Sequence, residues 1–304
     1  MKEYEYDTGN GCLRYTVEPD GICISGWQGN GRTVRVPEQI EGQAVTGVGS
    51  KAFLSKKNLR EIELPVGLRS LGDWAFAYCG NLERVTVSSG CSQMGKSLFL
   101  DCEKLGCISG VCRSENGVSE AWPAACGQLL AAAVTRLEAY YLLEPGAVGS
   151  GEWLRKWDAR LEAVMRADDG EGYSKQVLCG EEDYGSTDME AYLRAARQKK
   201  VRLALLRLEC DQGLASAMRH YLEQYLLTHT KGCESEESWQ VILAQGETSP
   251  QYVQLFLRLG CAGRKNIEAM IQQMGEDQPQ LRAAFLRYQQ EQLGHGDFFQ
   301  GLSL

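Results

Sequence analysis

In the first third of the chain, apolar and polar residues alternate in short runs that recur at a fixed distance. Ile62-Glu63-Leu64 and Val85-Thr86-Val87 alternate in this way and lie 23 residues apart. Alternation with a period of two predicts β-strands with one buried face. An earlier run, Val34-Arg35-Val36, precedes Ile62 by 28 residues, and we assign the five additional residues to a loop over residues 40–46.

Three sets of identical residues also recur every 23 residues, and we call each set a column. They are Phe53, Phe76 and Phe99; Leu59, Leu82 and Leu105; and Gly49, Gly72 and Gly95. A unit this small cannot bury its own apolar side chains, so the columns predict a solenoid in which the phenylalanines form an inner spine. The glycine column predicts a tight turn in each unit.

These columns carry a family resemblance. The segment Leu71-Gly72-Asp73-Trp74-Ala75-Phe76-Ala77-Tyr78-Cys79-Gly80-Asn81-Leu82 resembles the BspA-type leucine-rich repeat of bacterial proteins, whose unit reads Ile-Gly-x-x-Ala-Phe-x-x-Cys-x-x-Leu. Val48–Phe53 follows the same pattern, whereas Met94–Phe99 departs from it by placing Leu98 at the alanine position. The resemblance spans about residues 10–110 and implies two short strands before the array. It also implies that Cys79 and Cys102 are buried, stacked thiols.

After Cys112 the period changes to that of amphipathic helices. We predict helices over residues 127–143 and 189–208 and along four apolar stripes. The stripes are Leu154, Trp157, Leu161 and Val164; Leu214, Met218, Tyr221, Leu222 and Tyr225; Ile267, Met270, Ile271 and Met274; and Leu281, Ala284, Phe285 and Tyr288.

A weaker repeat of 29 residues relates Ile242, Gly246, Tyr252 and Phe256 to Ile271, Gly275, Leu281 and Phe285. Each copy reads as helix, glycine turn, helix. Residues 252–260 resemble the second helix of an ankyrin repeat, although the Thr-Pro-Leu-His stretch of that family is missing.

The predicted fold class is α+β, a two-part repeat protein. A short leucine-rich-repeat β-solenoid with N-terminal cap strands occupies residues 1–112. An all-α, ankyrin-like array of stacked helical hairpins occupies residues 113–304.

Charge and hydropathy narrow the function. The net charge is −8, and residues 1–112 carry 12 basic and 13 acidic side chains, so about −7 lies in the helical half. This balance argues against nucleic acid as a partner. No apolar run approaches the roughly 18 residues of a membrane helix, so we expect no membrane insertion. No apolar leader follows Met1, which favours a cytoplasmic location; the alternative is the cell surface, if a signal segment was removed.

The twelve cysteines are scattered and include no Cys-x-x-Cys pair. Cys102, Cys107 and Cys112 lie five residues apart, which is wider than the paired ligands of a zinc site. We interpret the cysteines as reduced and mostly buried thiols.

Residues for catalysis or cofactor binding are sparse. His220, His229 and His295 have no partner recognisable in the sequence, and no phosphate-binding loop is present. The glycine-rich stretch Gly26–Gly31 reads as a turn between short strands. The acidic segment 168–188 lacks the ligand order of an EF-hand, so we interpret it as a solvated loop. We therefore expect no cofactor, no metal and no enzyme.

The hypothesis for function is a non-catalytic protein–protein interaction module or scaffold with an unknown protein partner. The candidate binding residues are those that point outward from the parallel strands: Thr33, Arg35, Glu61, Glu63, Arg84 and Thr86. Under the opposing interpretation, these neighbouring opposite charges merely solvate the sheet. Two alternative functions are a surface-exposed or secreted adhesion or binding protein, and an enzyme with a site between the two halves.

Overall fold

A computed structural model describes residues 2–115, 117–167, 169 and 189–294. The chain divides into two compact units, Met1–Leu161 and Glu162–Leu304. The fold class is confirmed, because a β-solenoid of about four turns is followed by helices. The domain boundary between residues 112 and 113 stays a prediction.

Strands of the first unit form two sheets. Their bounds are β1 (Glu3–Asp7), β2 (Gly11–Glu18), β3 (Gly21–Gly29), β4 (Thr33–Arg35), β5 (Gln39–Ile40), β6 (Gln43–Val48), β7 (Glu61–Glu63), β8 (Ser70–Leu71), β9 (Arg84–Ser88), β10 (Gln93–Met94), β11 (Cys107–Ser114) and β12 (Gly117–Glu120). One sheet has the order β1-β2-β3-β6-β8-β10, with β5 paired to β6, and the other has the order β12-β11-β9-β7-β4. Each solenoid coil contributes one strand to each sheet.

The N-terminal end of the solenoid begins with an antiparallel meander of β1, β2 and β3, and β3 pairs in parallel with β6. The two predicted lead-in strands are confirmed as β2 and β3, and β1 adds a third. The predicted turn at Gly26–Gly31 is wrong up to Gly29, because β3 continues through it. Side chains of Arg14 and Trp27 occupy the space beside Gly26 and Gly29.

The predicted loop over residues 40–46 is also wrong, because β5 and β6 form a β-hairpin there. Its two turn residues, Glu41 and Gly42, have φ of 51° and 78°. Positive φ at both positions is the signature of the tight turn that matches strand twist. The five extra residues of this unit therefore extend the sheet instead of looping away from it.

The phenylalanine spine is confirmed. Phe53, Phe76 and Phe99 are at most 1% exposed, and the ring centroids of successive phenylalanines lie 5.5 Å apart. Backbone hydrogen bonds between coils fix the spacing, since the Phe53 amide donates to the Ala75 carbonyl over 2.8 Å. The solenoid core is a continuous stack rather than a set of separate units.

The predicted role of the glycine column is wrong. Gly49, Gly72 and Gly95 do not have positive φ; the left-handed residues come two positions later, at Lys51 and Trp74, with φ of 62° and 60°. The glycines are instead required for close approach. A Cβ on Gly72 would lie 2.3 Å from the Ser50 amide nitrogen of the preceding coil.

The C-terminal end of the solenoid is covered within the same unit. β11 and β12 form an antiparallel hairpin, and helix α1 (Ala124–Thr135) follows it and contacts β11. The Trp122 indole packs over Gly110 and donates to the Ile108 carbonyl over 3.1 Å. The helix predicted over residues 127–143 therefore begins and ends earlier, and a 3-10 turn (Tyr140–Leu142) follows it.

The remaining described helices are α2 (Gly151–Arg166), α3 (Met189–Glu209), α4 (Ser216–Thr228), α5 (Glu237–Gln245), α6 (Pro250–Arg258), α7 (Ile267–Met274) and α8 (Pro279–Tyr288), and a π-helical turn spans Gln289–Leu293. The helix predicted over residues 189–208 is confirmed as α3. Leu214 lies before α4, so the stripe predicted there is incomplete, and Leu226 is buried in place of Tyr221.

The 29-residue repeat corresponds to two helix pairs, α5 with α6 and α7 with α8. Trp239, Phe256 and Phe285 pack together with ring centroids 5.6 to 6.3 Å apart. The ankyrin-like assignment stays a prediction. Among the described helices, none has the length and apolar character needed to cross a bilayer.

Candidate partner-binding surface

The six predicted binding residues lie together on the outward side of β4, β7 and β9, and we call this surface the strand face. It is defined by Thr33, Arg35, Glu61, Glu63, Arg84 and Thr86. The parallel register places Thr33, Glu61 and Arg84 in one row and Arg35, Glu63 and Thr86 in a second. Adjacent strands in a sheet lie about 4.8 Å apart, so each row is a close ladder of side chains.

The outward orientation follows from the residues between the two rows. Val34, Ile62 and Val85 are at most 2% exposed and fill the solenoid interior. Because successive side chains of a strand point to opposite faces, their neighbours on both sides must face out. The period-two pattern thus determines the direction of all six side chains.

Charged residues of the strand face pair with one another. Arg35 donates through Nε and Nη2 to the two carboxylate oxygens of Glu63 over 2.5 and 3.0 Å. Arg84 donates to Glu61 over 2.9 Å. The hydrogen bond from Arg35 lowers the pKa of Glu63, so this carboxylate stays ionised well into mildly acidic conditions.

These pairs make the strand face polar but electrically balanced, with two cations and two carboxylates. The Arg35 side chain is 76% exposed, so its pair contributes little to folding. Such a surface offers guanidinium donors, carboxylate acceptors and threonine hydroxyls at fixed spacing. It can form hydrogen bonds to a partner.

Two further residues extend the strand face and were missed from the sequence. Cys107 aligns with Arg84 and Ser109 with Thr86, because β11 pairs in parallel with β9. Cys107 follows Arg84 by the same 23 residues that separate Arg84 from Glu61, so the repeat spacing could have identified it.

The thiols of Cys79 and Cys102 lie in the interior of the solenoid. The Cys79 and Cys102 sulfurs contact the carbonyls of Phe53 and Phe76 over 3.0 and 3.1 Å. Their predicted burial is confirmed, since the two residues are at most 1% exposed. Burial raises the pKa of Cys79 to about 11 and that of Cys102 to about 12. A thiol with such a pKa is almost entirely protonated at neutral pH and therefore a poor nucleophile.

We expect alkylation of the native protein at pH 8 to modify Cys233, the exposed cysteine among those that the structure describes, and to spare Cys79 and Cys102. In denaturant all twelve cysteines should react. Peptide mapping by mass spectrometry measures both results. Equal native labelling of Cys79 and Cys233 would contradict the buried position of Cys79.

Counting free thiols in protein from its own cells also tests the cellular location, because a cytoplasmic protein keeps its thiols reduced.

Residues considered for catalysis or metal binding do not converge in the described part of the chain. His229 stacks on Tyr225, with ring centroids 4.0 Å apart, and its Nδ1 lies 2.8 Å from the Tyr225 carbonyl oxygen. His220 is exposed, and His295 lies outside the described residues. No group of three or more His, Cys, Asp or Glu side chains is arranged to hold a metal within the described ranges.

Most of the acidic segment 168–188 lies outside the described residues. Its described member, Asp169, accepts from Lys200 Nζ over 2.9 Å and from the Tyr225 hydroxyl over 3.3 Å. Lys200 is 4% exposed, so this pair is a buried polar contact of the second unit. Burial raises the pKa of Tyr225, with the Asp169 carboxylate adding to the effect, so the phenol stays protonated.

Residues 36–113 match the family model described as BspA type leucine rich repeat region, in six copies. The resemblance inferred from the repeat columns is confirmed there. No curated protein matches the chain.

Three solved structures are similar to part of the chain. A leucine-rich repeat protein of T. pallidum is 32% identical over 34% of this chain and 49% of its own, with a TM-score of 0.32. The chain thus spans about half the length of that protein. A leucine-rich cell surface protein of Faecalibacterium prausnitzii is 20% identical over 36% of this chain and 30% of its own, with a TM-score of 0.30. A leucine-rich repeat protein of Bacteroides ovatus is 24% identical over 34% and 29%, with a TM-score of 0.31.

Proposed function

We propose that this protein is a non-catalytic protein–protein interaction module and that the strand face contacts its partner. Leucine-rich repeat proteins are generally protein-binding modules and typically non-catalytic. The observation that carries the proposal is the pair of parallel rows, which hold six polar side chains at fixed spacing on a rigid sheet. Stacked repeats use extended surfaces of this kind to bind partners.

The rigidity of the strand face supports its use in binding. Side chains that are already held in ion pairs lose less conformational freedom when a partner docks. The bidentate contact between Arg35 and Glu63 fixes both groups, and the contact between Arg84 and Glu61 fixes two more. A partner that offers complementary donors and acceptors meets a preorganised surface.

The variant that combines Arg35→Ala, Glu63→Ala and Arg84→Ala tests the proposal. Because these side chains are exposed, we expect its melting temperature to stay close to that of the wild type. Affinity for a partner captured from the source cells should fall by about tenfold or more, since arginines are frequent hot spots of interfaces. Calorimetry and a binding titration measure the two quantities.

A matched control variant combines Glu152→Ala, Arg155→Ala and Lys156→Ala on the exposed side of α2. It removes two positive charges and one negative charge, as the strand-face variant does, and it breaks one ion pair where the strand-face variant breaks two. The control should bind the partner normally. Full binding by the strand-face variant, or equal losses in both variants, would show that the partner does not use the strand face.

A further inference from the structure

A second polar feature lies where β4 and β7 begin. An open surface cleft of about 320 Å³ is lined there by six polar side chains, and we call it the edge pocket. Its residues are Asn30, Arg32, Lys57, Asn58, Arg60 and Asn81. Arg32 and Arg60 immediately precede the two strands, so the edge pocket adjoins the first row of the strand face.

Backbone contacts hold the edge pocket in place. The amides of Arg60 and Glu61 donate to the Arg32 carbonyl over 2.7 and 3.0 Å, which ties two successive coils together. The Asn81 side chain donates to the Lys57 carbonyl over 2.7 Å and accepts from Lys104 Nζ over 2.7 Å. The turns that carry the cations are therefore fixed by the stacking of the solenoid.

The edge pocket differs from the strand face in its balance of charge. Arg60 pairs with Glu83 over 2.8 Å, but in the described part of the chain no carboxylate forms an ion pair with Arg32 or Lys57. On the strand face, by contrast, both arginines are neutralised by glutamates. Two uncompensated cations thus face a pocket with asparagine amides in a protein of net charge −8.

We propose that the edge pocket binds carboxylate side chains of an acidic peptide segment in the partner protein. The guanidinium of Arg32 can bind a carboxylate through two parallel hydrogen bonds, and the amides of Asn30 and Asn58 supply further donors. This inference depends on the proposed function in one respect, which is that the acidic segment belongs to a protein partner.

Carboxylates fit the edge pocket better than phosphate groups. Glu83 lies 2.8 Å from Arg60 at the pocket margin, and its negative charge repels a doubly charged phosphate more strongly than a singly charged carboxylate. The two free cations match one or two single negative charges. The adjoining strand face is balanced in charge, so it does not repel an acidic segment that continues across it.

The experiment is a fluorescence anisotropy titration of the full chain with a fluorescein-labelled oligoglutamate peptide at low ionic strength. We expect saturable binding that weakens as salt is added. The variant Arg32→Gln/Lys57→Gln should bind at least about tenfold more weakly, because hydrogen bonds to charged groups are lost. A matched control, Arg69→Gln/Lys96→Gln, removes one exposed arginine and one exposed lysine elsewhere on the solenoid and should bind within about twofold of wild type.

Three results would overturn the proposal. They are the absence of saturable binding, equal losses in the two variants, and displacement of the peptide by inorganic phosphate at concentrations where glutarate has no effect. Circular dichroism confirms that each variant is folded. Because the probe is synthetic, a failure here leaves partner binding by the strand face untouched. The strand-face triple variant keeps all residues of the edge pocket and should still bind oligoglutamate. If it does so while the partner titration shows no role for the strand face, only the proposed function is wrong.

Discussion

Replacing Phe76 with alanine should cost about 3–5 kcal/mol of unfolding free energy, the usual range for a buried phenylalanine. Phe76 is the middle member of the spine and is fully buried. Its ring stacks on Phe53 and on Phe99, with centroids 5.5 Å away on each side. The truncation therefore removes both stacking contacts and leaves a cavity that neighbouring coils cannot fill, because hydrogen bonds between coils hold their spacing.

Tyr78→Ala is the matched control for this prediction. Tyr78 belongs to the same solenoid unit, carries an aromatic ring of similar size and is 41% exposed. Its truncation should change the unfolding free energy by about 0.5 kcal/mol or less. Urea denaturation followed by circular dichroism compares the two variants. A cost under about 1 kcal/mol for Phe76→Ala would show that the spine does not support the solenoid.

Gly72→Ala should cost about 3 kcal/mol, the upper end of what overpacking usually costs. The added Cβ would lie 2.3 Å from the Ser50 nitrogen and 2.6 Å from the Gly49 carbonyl carbon. Both are backbone atoms, so relief requires the coils to separate. Separation in turn strains the hydrogen bond of 2.7 Å from the Gly72 amide to the Val48 carbonyl.

Gly80→Ala provides the comparison within the same unit. The nearest atom to a Cβ on Gly80 is the Asp101 carbonyl oxygen at 4.0 Å, so the methyl group has room. The substitution should be neutral or should stabilise by up to about 1 kcal/mol, because it restricts the unfolded chain. Thermal unfolding of both variants measures the difference. Equal stability of the two would mean that the coils are not in close contact at Gly72.

Regular repetition made most of the solenoid predictable from the sequence. A column such as Phe53, Phe76 and Phe99 recurs because each coil must present the same side chain to the same interior position. Within each strand, the period of two separates inward from outward residues, so the outward direction of the six side chains was predictable, while their role in binding stays a prediction. The helix pairs α5–α6 and α7–α8 followed from their 29-residue repeat for the same reason.

Structural features that have no counterpart in the other repeat units were not predicted from the sequence. Strand β1 is mostly exposed, so it lacks the alternation that reveals a buried face. The hairpin of β5 and β6 depends on a two-residue turn that has no counterpart in the other units. Left-handed backbone does recur, at Lys51, Trp74 and Ser97, but these positions share no residue type, so no column in the sequence marks it.

The edge pocket was not predictable either. Arg32 and Arg60 share the 28-residue offset that relates Val34 to Ile62, but the next coil has Glu83 at this position, so no column of arginines marks the pocket. Its other members come from turns, where no apolar period fixes which way a side chain points. Tertiary contacts, such as the ion pair between Arg60 and Glu83, decide which of the cations are neutralised, and the sequence does not show these contacts.

The central claim is that a protein partner docks on the strand face, and site-specific photocrosslinking in the full chain tests it most directly. A photoreactive phenylalanine analogue replaces the exposed Thr33 in one version and the exposed Tyr192 of α3 in another. We predict a discrete crosslinked partner from position 33, none from position 192, and loss of the crosslink when Glu63→Ala and Arg84→Ala are added. A crosslink from position 192 without one from position 33 would contradict the claim.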